Sequence, residues 1–240
     1  MTLDEIISQV LMQSGFLKKD GYAGSNDPDD LQMVAIANRA AHEIMNYWLW
    51  PTLRRTYRIT MQATEDPSDP DAEMQTRYLL PEDYQDLVPN SAWEVEGERP
   101  VDFPVADNDW FMYKFTSWGD GGTLRVRKYG NEIEIHDPVA GQAFDFEYIS
   151  KWPIEDEEGQ RKEYFTADTD TWVLDDQLLI LGLQAHWMQT KLMPQYIEHF
   201  GNYQRKMAEA IGRANAGQTI GGCPRPLRRD PYTPLWVNNG

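Results

Sequence analysis

Four histidines, one cysteine and 39 Asp+Glu residues are the side chains of this chain best suited to chemistry. His42, His136, His186 and His199 never pair at i, i+3 or i+4 on one predicted face, and neither a cysteine pair nor an H-E-x-x-H spacing occurs, so no zinc site is expected. His42 and His186 fall on separate apolar helices that could meet; each is read as a packed, hydrogen-bonded histidine. Cys223 stands beside Pro224 with no electropositive pocket or histidine in evidence, so it reads as an incidental thiol. A single cysteine allows no disulfide within one chain, which suits a reducing compartment. No G-x-S-x-G turn is present. The glycine-rich "WGDGGTL" (118–124) lacks the lysine and Ser/Thr of a phosphate-binding loop and precedes a strand, where a phosphate cradle needs a helix. Abundant carboxylates with nine tryptophans would suit a glycosidase, which sets two carboxylates across a sugar. With so many acids, however, some pair arises by number alone, and the runs at 65–73 and 155–158 read as solvated loops. No enzyme activity, cofactor or metal is expected.

Interaction is the remaining class. The net charge is −17, unevenly spread. Residues 1–215 hold 19 Lys+Arg against 38 Asp+Glu, a net of −19, whereas residues 216–240 hold three arginines against one aspartate, a net of +2. Non-specific binding of nucleic acid by a basic face is therefore disfavoured. The terminal stretch "GQTIGGCPRPLRRDPYTPLWVNNG" has four prolines and no helical period. The prolines reduce the entropy lost on ordering. Arg225, Leu227, Arg228, Arg229, Tyr232, Leu235 and Trp236 are of the types that anchor interfaces. The stretch is read as an extended docking arm that fits an acidic partner groove, and these seven are its partner-binding residues.

The elements that present this arm can be read from pattern. Thr2 and Glu5 have capping-box spacing before Leu3, Ile6, Ile7, Val10 and Leu11. Asp27, Pro28, Asp29 and Asp30 open a helix expected over about 28–49, with Leu31, Val34, Ala35, Asn38, Ala41, His42, Met45 and Leu49 as its stripe. Arg54–Ala63 alternates as a strand, with Tyr57, Ile59 and Met61 on one face. Thr64–Gln75 is an acidic loop. Residues 107–117 suit a short helix. In Thr123–Pro138, Gly130-Asn131 signals a hairpin that sets Val126 opposite Ile135 and Arg127 opposite Glu134. Gln142–Lys151 is a strand with Phe144, Phe146 and Tyr148 on one side. Asp175 or Asp176 caps a further helix, and Pro194 begins a last one with the stripe Tyr196, Ile197, Phe200, Tyr203, Met207 and Ile211. The expected class is α+β: a four-helix core split by a β-rich insertion, with an extended C-terminal arm. The boundaries are 1–51 for the N-terminal helical half, 52–151 for the insertion, 152–215 for the C-terminal helical half and 216–240 for the arm. The N-terminus lacks a basic, apolar leader pattern and no apolar run approaches membrane-span length, so a soluble protein with no membrane partner is expected.

Two stretches resemble a known family. "YLLPEDYQDLVPNSAWEVEGERPV" carries a Leu-Pro-Glu-Asp-Tyr turn followed by Trp93 and Arg99-Pro100. "FTADTDTWVLDDQLLILGL" (Phe165–Leu183) is an acidic, threonine-bearing lead into an apolar helix. With the helix–β–helix–tail order, over roughly residues 27–215, the chain resembles the head–tail adaptor proteins of short-tailed bacteriophages, also called head-completion or tail tubular proteins. The resemblance implies a structural virion protein assembled in the host cytoplasm: a ring, usually of twelve copies, at the head–tail junction. Its partners would be the portal protein, its own copies and the tail nozzle. Genome DNA would pass through the lumen without specific binding. Some relatives are smaller and nearly all-helical, so the large β block is a departure, and contact with the nozzle or neighbouring adaptors is expected of it. Carboxylates on the inner wall would repel DNA and ease its passage. The alternative is a carbohydrate- or cell-surface-binding tail module using exposed tryptophans of the β block.

Overall fold

Thr2 opens the first helix, α1 (Leu3–Gln13), with a complete capping box: its hydroxyl accepts from Glu5 N–H while the Glu5 carboxylate accepts from Thr2 N–H. The computed structural model describes residues 1–19, 21–63, 74–115 and 123–216. Asp27 caps α2 (Pro28–Tyr47), its carboxylate accepting from Asp29 N–H, with Pro28 in the first turn. Trp50 folds back on the end of α2, donating from Nε1 to the Ile44 carbonyl at 2.8 Å. A single 3-10 turn (Pro51–Leu53) then leads into the β-rich region.

That region contains β1 (Arg54–Thr60), β2 (Arg77–Leu79), β3 (Tyr84–Leu87), β4 (Trp93–Glu94), β5 (Arg99–Pro100), the short helix α3 (Asp107–Phe115), β6 (Arg125–Tyr129), β7 (Glu132–His136) and β8 (Ala143–Ser150). β8 is the spine of the larger sheet, pairing antiparallel with β1, β3 and β4, while β5 pairs with β4. Alternation along β8 explains its place: Phe144, Phe146 and Tyr148 turn into one core, and Ile149 turns the other way into a second. Burying each aromatic stabilises the fold by roughly 1.5–3 kcal/mol. A second sheet has the order β2-β7-β6. Its β6–β7 hairpin turns at Gly130, whose φ of 62° needs a residue free of Cβ strain. The expected register is found, with Val126 opposite Ile135 and Arg127 opposite Glu134.

The chain closes through β9 (Ile154–Glu155), β10 (Arg161–Lys162) and β11 (Thr171–Trp172), which form a small antiparallel sheet, then α4 (Asp176–Thr190) and α5 (Tyr196–Ala216). Asp175 caps α4. The architecture is α+β with antiparallel sheets. One core cluster draws on α1, α2, α4 and α5 together with Trp50, Leu53, Val88, Ile149, Ile154, Phe165 and Trp172; the other lies within the β-rich region. α4 lies close to α5 at Gly182, where an added Cβ would stand 3.1 Å from the Tyr203 ring.

The stretches 78–101 and 165–183 each contain a hydrogen-bonded hub. In Phe165–Leu183, the Asp170 carboxylate is buried, accepts from Thr166 and Ala167 N–H at 2.6 and 2.8 Å, and meets the Lys162 ammonium. The Asp170 carbonyl accepts from Leu3 N–H, and the Asp168 carboxylate accepts from Tyr22 and Ala23 N–H. Asn38 of α2 clamps the Phe165 backbone from both sides, donating to its carbonyl and accepting from its N–H. One acidic loop thus ties α1, the α1–α2 link, α2 and α4 together. In the Leu80–Tyr84 turn, buried Asp83 accepts from Tyr148 Oη at 2.7 Å and from Arg55 at 3.0 Å, while its carbonyl accepts from Lys151 N–H.

Two expected stripes are corrected. On α2 the buried face is Asp30, Met33, Ile36, Ala37, Ala40, Ala41, Ile44 and Met45, while Leu31, Ala35 and His42 are exposed. The helix is apolar on much of its circumference, so the 3.6 period fits more than one face, and the small alanines allow close approach where the larger stripe residues would not. On α5, Tyr203 and Met207 are buried, but Tyr196 and Ile197 lie exposed at its first turn; Pro194 precedes the helix rather than beginning it. α2 also ends at Tyr47, not Leu49.

Candidate docking surfaces

His186 is buried on α4 and lies 2.9 Å from a Glu43 carboxylate oxygen, while Tyr203 donates to the other oxygen. The hydrogen bond to His186 holds the Glu43 carboxyl below the ordinary carboxylate range, and burial pushes the Tyr203 phenol well above its ordinary value. This is the packed, hydrogen-bonded histidine expected. His42 instead stacks on Tyr164, and His136 meets Trp110 edge-on with Asp137 beside it. No group of three His, Cys, Asp or Glu residues suits a metal among the described residues. Glu155–Glu158 forms a tight turn between β9 and β10, with Asp156 accepting from Glu158 and Gln160 N–H and Glu155 paired to Arg161.

A polar cavity of about 250 Å³ opens beside the 3-10 turn, lined by Arg54, Arg55, Ser150, Trp152, Glu155 and Arg161. Each of its guanidiniums faces a carboxylate: Arg54 meets Glu147, Arg55 meets Asp83 and Arg161 meets Glu155. It is an ion-paired seam, with the cationic charge already balanced by the carboxylates that position it.

The seven residues expected to bind a partner, Arg225, Leu227, Arg228, Arg229, Tyr232, Leu235 and Trp236, lie outside the described residues, as do Cys223, the acidic run 64–73 and Trp118–Gly122. The described surface offers two apolar faces that sequence reasoning missed. On the helical side, Met12 lies in the last turn of α1 and Phe16 and Leu17 follow it, while Leu192 and Ile197 flank the α4–α5 turn; all are exposed. Phe16 meets Trp187 edge-on, and Lys191 stacks on Trp187 while pairing with Asp29, which brings the ends of α1, α2 and α4 to one place.

The second face is built on the β6–β7 hairpin. Alternation puts Arg77, Leu79, Arg127, Tyr129, Glu132 and Glu134 on the side away from the β core, and α3 crosses that side. Arg127 is the organising residue. It is buried, bonds Glu134 through Nε at 2.8 Å and sits 3.6 Å from Asp107. Its guanidinium faces the rings of Trp110, Phe111 and Tyr129 at 4.9, 5.6 and 5.3 Å. Such contacts hold rings in place by roughly 0.5–2 kcal/mol each. Phe111 stacks nearly parallel on Phe115 with centroids 6.2 Å apart, and Arg77 lies 4.8 Å over Tyr129. The result is a row, Phe115–Phe111–Tyr129, in which Arg127 bridges Phe111 and Tyr129, with Leu79 beside Tyr129 across Glu132. The exposures are 77, 50, 52 and 67 % in that order, so the row is a surface feature. Of the described tryptophans of the β block, Trp93 is exposed and Trp110 buried.

No protein-family model matches the chain, and no curated protein matches it. Among the described residues, no helix is long and apolar enough to cross a membrane.

Proposed function

We propose that the chain is a structural connector, an adaptor that joins the portal of a short-tailed phage to its tail as a ring of copies around the DNA channel. The observation that carries this reading is the pair of exposed apolar faces built on separate cores, one at the helical end and one on the β-rich region. Exposed apolar surface of this kind marks sites of protein contact, and a joint between two assemblies needs two of them. In this reading the four helices form the adaptor core, residues 52–151 are an insertion into it, and residues 216–240 are an arm that docks on the portal or an adjacent copy. The hubs at Asp83 and at Asp168–Asp170 support the reading, because the residues carrying the resemblance then have a structural task. Catalysis is not required of any of them.

The test is electron microscopy of the protein mixed with its portal. Rings seated on the portal are expected, and truncation after Ala216 weakens their assembly. Failure of the full chain to assemble on the portal refutes the connector; unchanged portal binding by the truncated chain refutes the role of the arm. Trp93, exposed on the β block, favours a second reading as a carbohydrate- or cell-surface-binding tail module. That reading requires adsorption to host cells that Trp93→Ala abolishes.

A further inference from the structure

We infer that the aromatic row Phe115–Phe111–Tyr129 is the seat for the proline-rich C-terminal arm of a second copy of this chain. The inference rests on the connector reading only for the source of the arm, a neighbouring copy. The seat itself is argued from the row and the arm.

The row has the chemistry of a polyproline-binding surface. Extended proline-rich segments dock on aromatic-lined grooves because prolyl rings pack flat against aromatic faces and the segment loses little entropy on binding. Phe111 and Phe115 stand nearly parallel and are 50 and 77 % exposed, so ring surface of both is open to solvent, and Arg127 and Arg77 hold the Tyr129 ring by facing it. A seat that is already ordered avoids the entropic penalty of forming on contact. Acidic groups flank it: Asp107 and Asp109 occupy the first turn of α3, and Glu132 lies between Leu79 and Tyr129.

The arm has the complementary chemistry. Pro224, Pro226, Pro231 and Pro234 recur through it, with Pro-x-x-Pro spacing at 231–234. Arg225, Arg228 and Arg229 suit the flanking carboxylates, and Leu227, Tyr232, Leu235 and Trp236 need apolar cover. A net of +2 on the arm against −19 on residues 1–215 favours encounter between the arm of one copy and the body of another. A polyproline segment of the length of residues 217–240 would reach roughly 75 Å at about 3.1 Å per residue, a reach that lets an arm leave its own subunit. Each copy gives an arm and receives one, so the contact is head-to-tail, the kind that forms a ring where the rotation between copies closes.

The test uses the full-length chain and a dye-labelled peptide of residues 217–240, read by fluorescence anisotropy with the protein in the low micromolar range and above. Saturable binding is expected, weakened about tenfold or more by Phe111→Ala/Phe115→Ala and reduced by added salt. Leu192→Ala/Ile197→Ala, at the helical face, leaves it unchanged. Thermal melts confirm that each variant is folded, which is expected because all four side chains are exposed. Three results overturn the inference: no binding by the full-length chain, which means either no affinity or a seat filled by its own arm; binding indifferent to the Phe111/Phe115 pair; or binding lost in the Leu192/Ile197 pair instead. Portal assembly is scored separately on the same variants. A chain that refuses the peptide yet still seats on the portal overturns this inference and leaves the connector standing.

Discussion

Asp170→Ala tests whether the acidic loop is the tie between the N- and C-terminal helices. The Asp170 side chain is 1 % exposed, accepts two backbone N–H groups and pairs with Lys162. Burial opposes its ionisation, but Lys162 and those two N–H groups together hold the carboxyl below the ordinary range. A hydrogen bond to a charged group contributes roughly 1.5–3 kcal/mol. Thr166 is exposed, so water can replace part of its bond. Ala167 is partly buried, and Lys162 would lose its counter-ion. Counting one bond fully and the rest in part gives a cost of about 3 kcal/mol. For a chain of this size that lowers Tm by about 6–12 °C. Asp170→Asn keeps an acceptor oxygen for the backbone but turns a neutral amide toward Lys162, and should cost about 1–2 kcal/mol. Urea unfolding followed by tryptophan emission is the assay, since buried Trp172 lies two residues away. An Asp170→Ala protein within about 0.5 kcal/mol of the parent, the range of an ordinary surface change, refutes the hub.

Further outcomes follow from the same geometry. Gly182→Ala gains up to about 1 kcal/mol in helix propensity but places a methyl 3.1 Å from the Tyr203 ring, whose hydroxyl is held by Glu43. Overpacking costs about 1–3 kcal/mol, so the variant should have a lower urea midpoint, and a higher one rejects the close contact. The carboxyls of Glu43, Glu94 and Asp145 are held low by hydrogen bonds from His186, Arg99 and Arg58 respectively. Their folded values lie below the unfolded ones, so their stabilisation is complete above the ordinary carboxylate range and lost as pH falls beneath it. The urea midpoint should therefore hold from pH 7 to about 5, where neutralising surplus negative charge relieves repulsion, and fall steeply below about 4. A midpoint that keeps rising to pH 3 contradicts these pairings.

Local chemistry was legible where it acts within a few residues. The capping box at Thr2, the Asp27 cap with Pro28, the Gly130-Asn131 turn and the alternation of Phe144, Phe146 and Tyr148 each depend on neighbours in the chain, and each is found. The face of α2 was not legible. Apolar residues surround much of that helix, and which of them meets α4 is decided by alanines that let the two backbones approach. Nor were Asp83, Asp168 and Asp170 visible as hubs among so many acids. A signal exists in hindsight: Thr166-Ala167-Asp168-Thr169-Asp170 spaces small residues before aspartates, the pattern by which side-chain oxygens capture nearby N–H groups. The aromatic row joins residues from α3 and β6 through Arg127. Its existence depends on α3 crossing the hairpin, which no periodicity announces.

The acidic surplus thus serves two different ends. Asp83, Glu94, Glu134 and Asp170 are buried and matched, each against Arg or Lys and some also against backbone N–H or a tyrosine hydroxyl. A buried carboxylate needs such partners because water no longer solvates it. These acids fix the fold and add little to the external field, since each is neutralised where it stands. The external field comes from the remaining acids, such as Asp29, Asp107 and Asp137, which stay largely exposed even where a lysine, arginine or histidine approaches. Charge that the fold does not consume is available for partners, and two very different ones would respond to it. In the proposed ring it turns DNA away and draws the basic arm in. One negative surface can do both because DNA meets it as a like charge, whereas the arm brings arginines together with proline and aromatic side chains that a row such as Phe115–Phe111–Tyr129 can hold once the charge has delivered them.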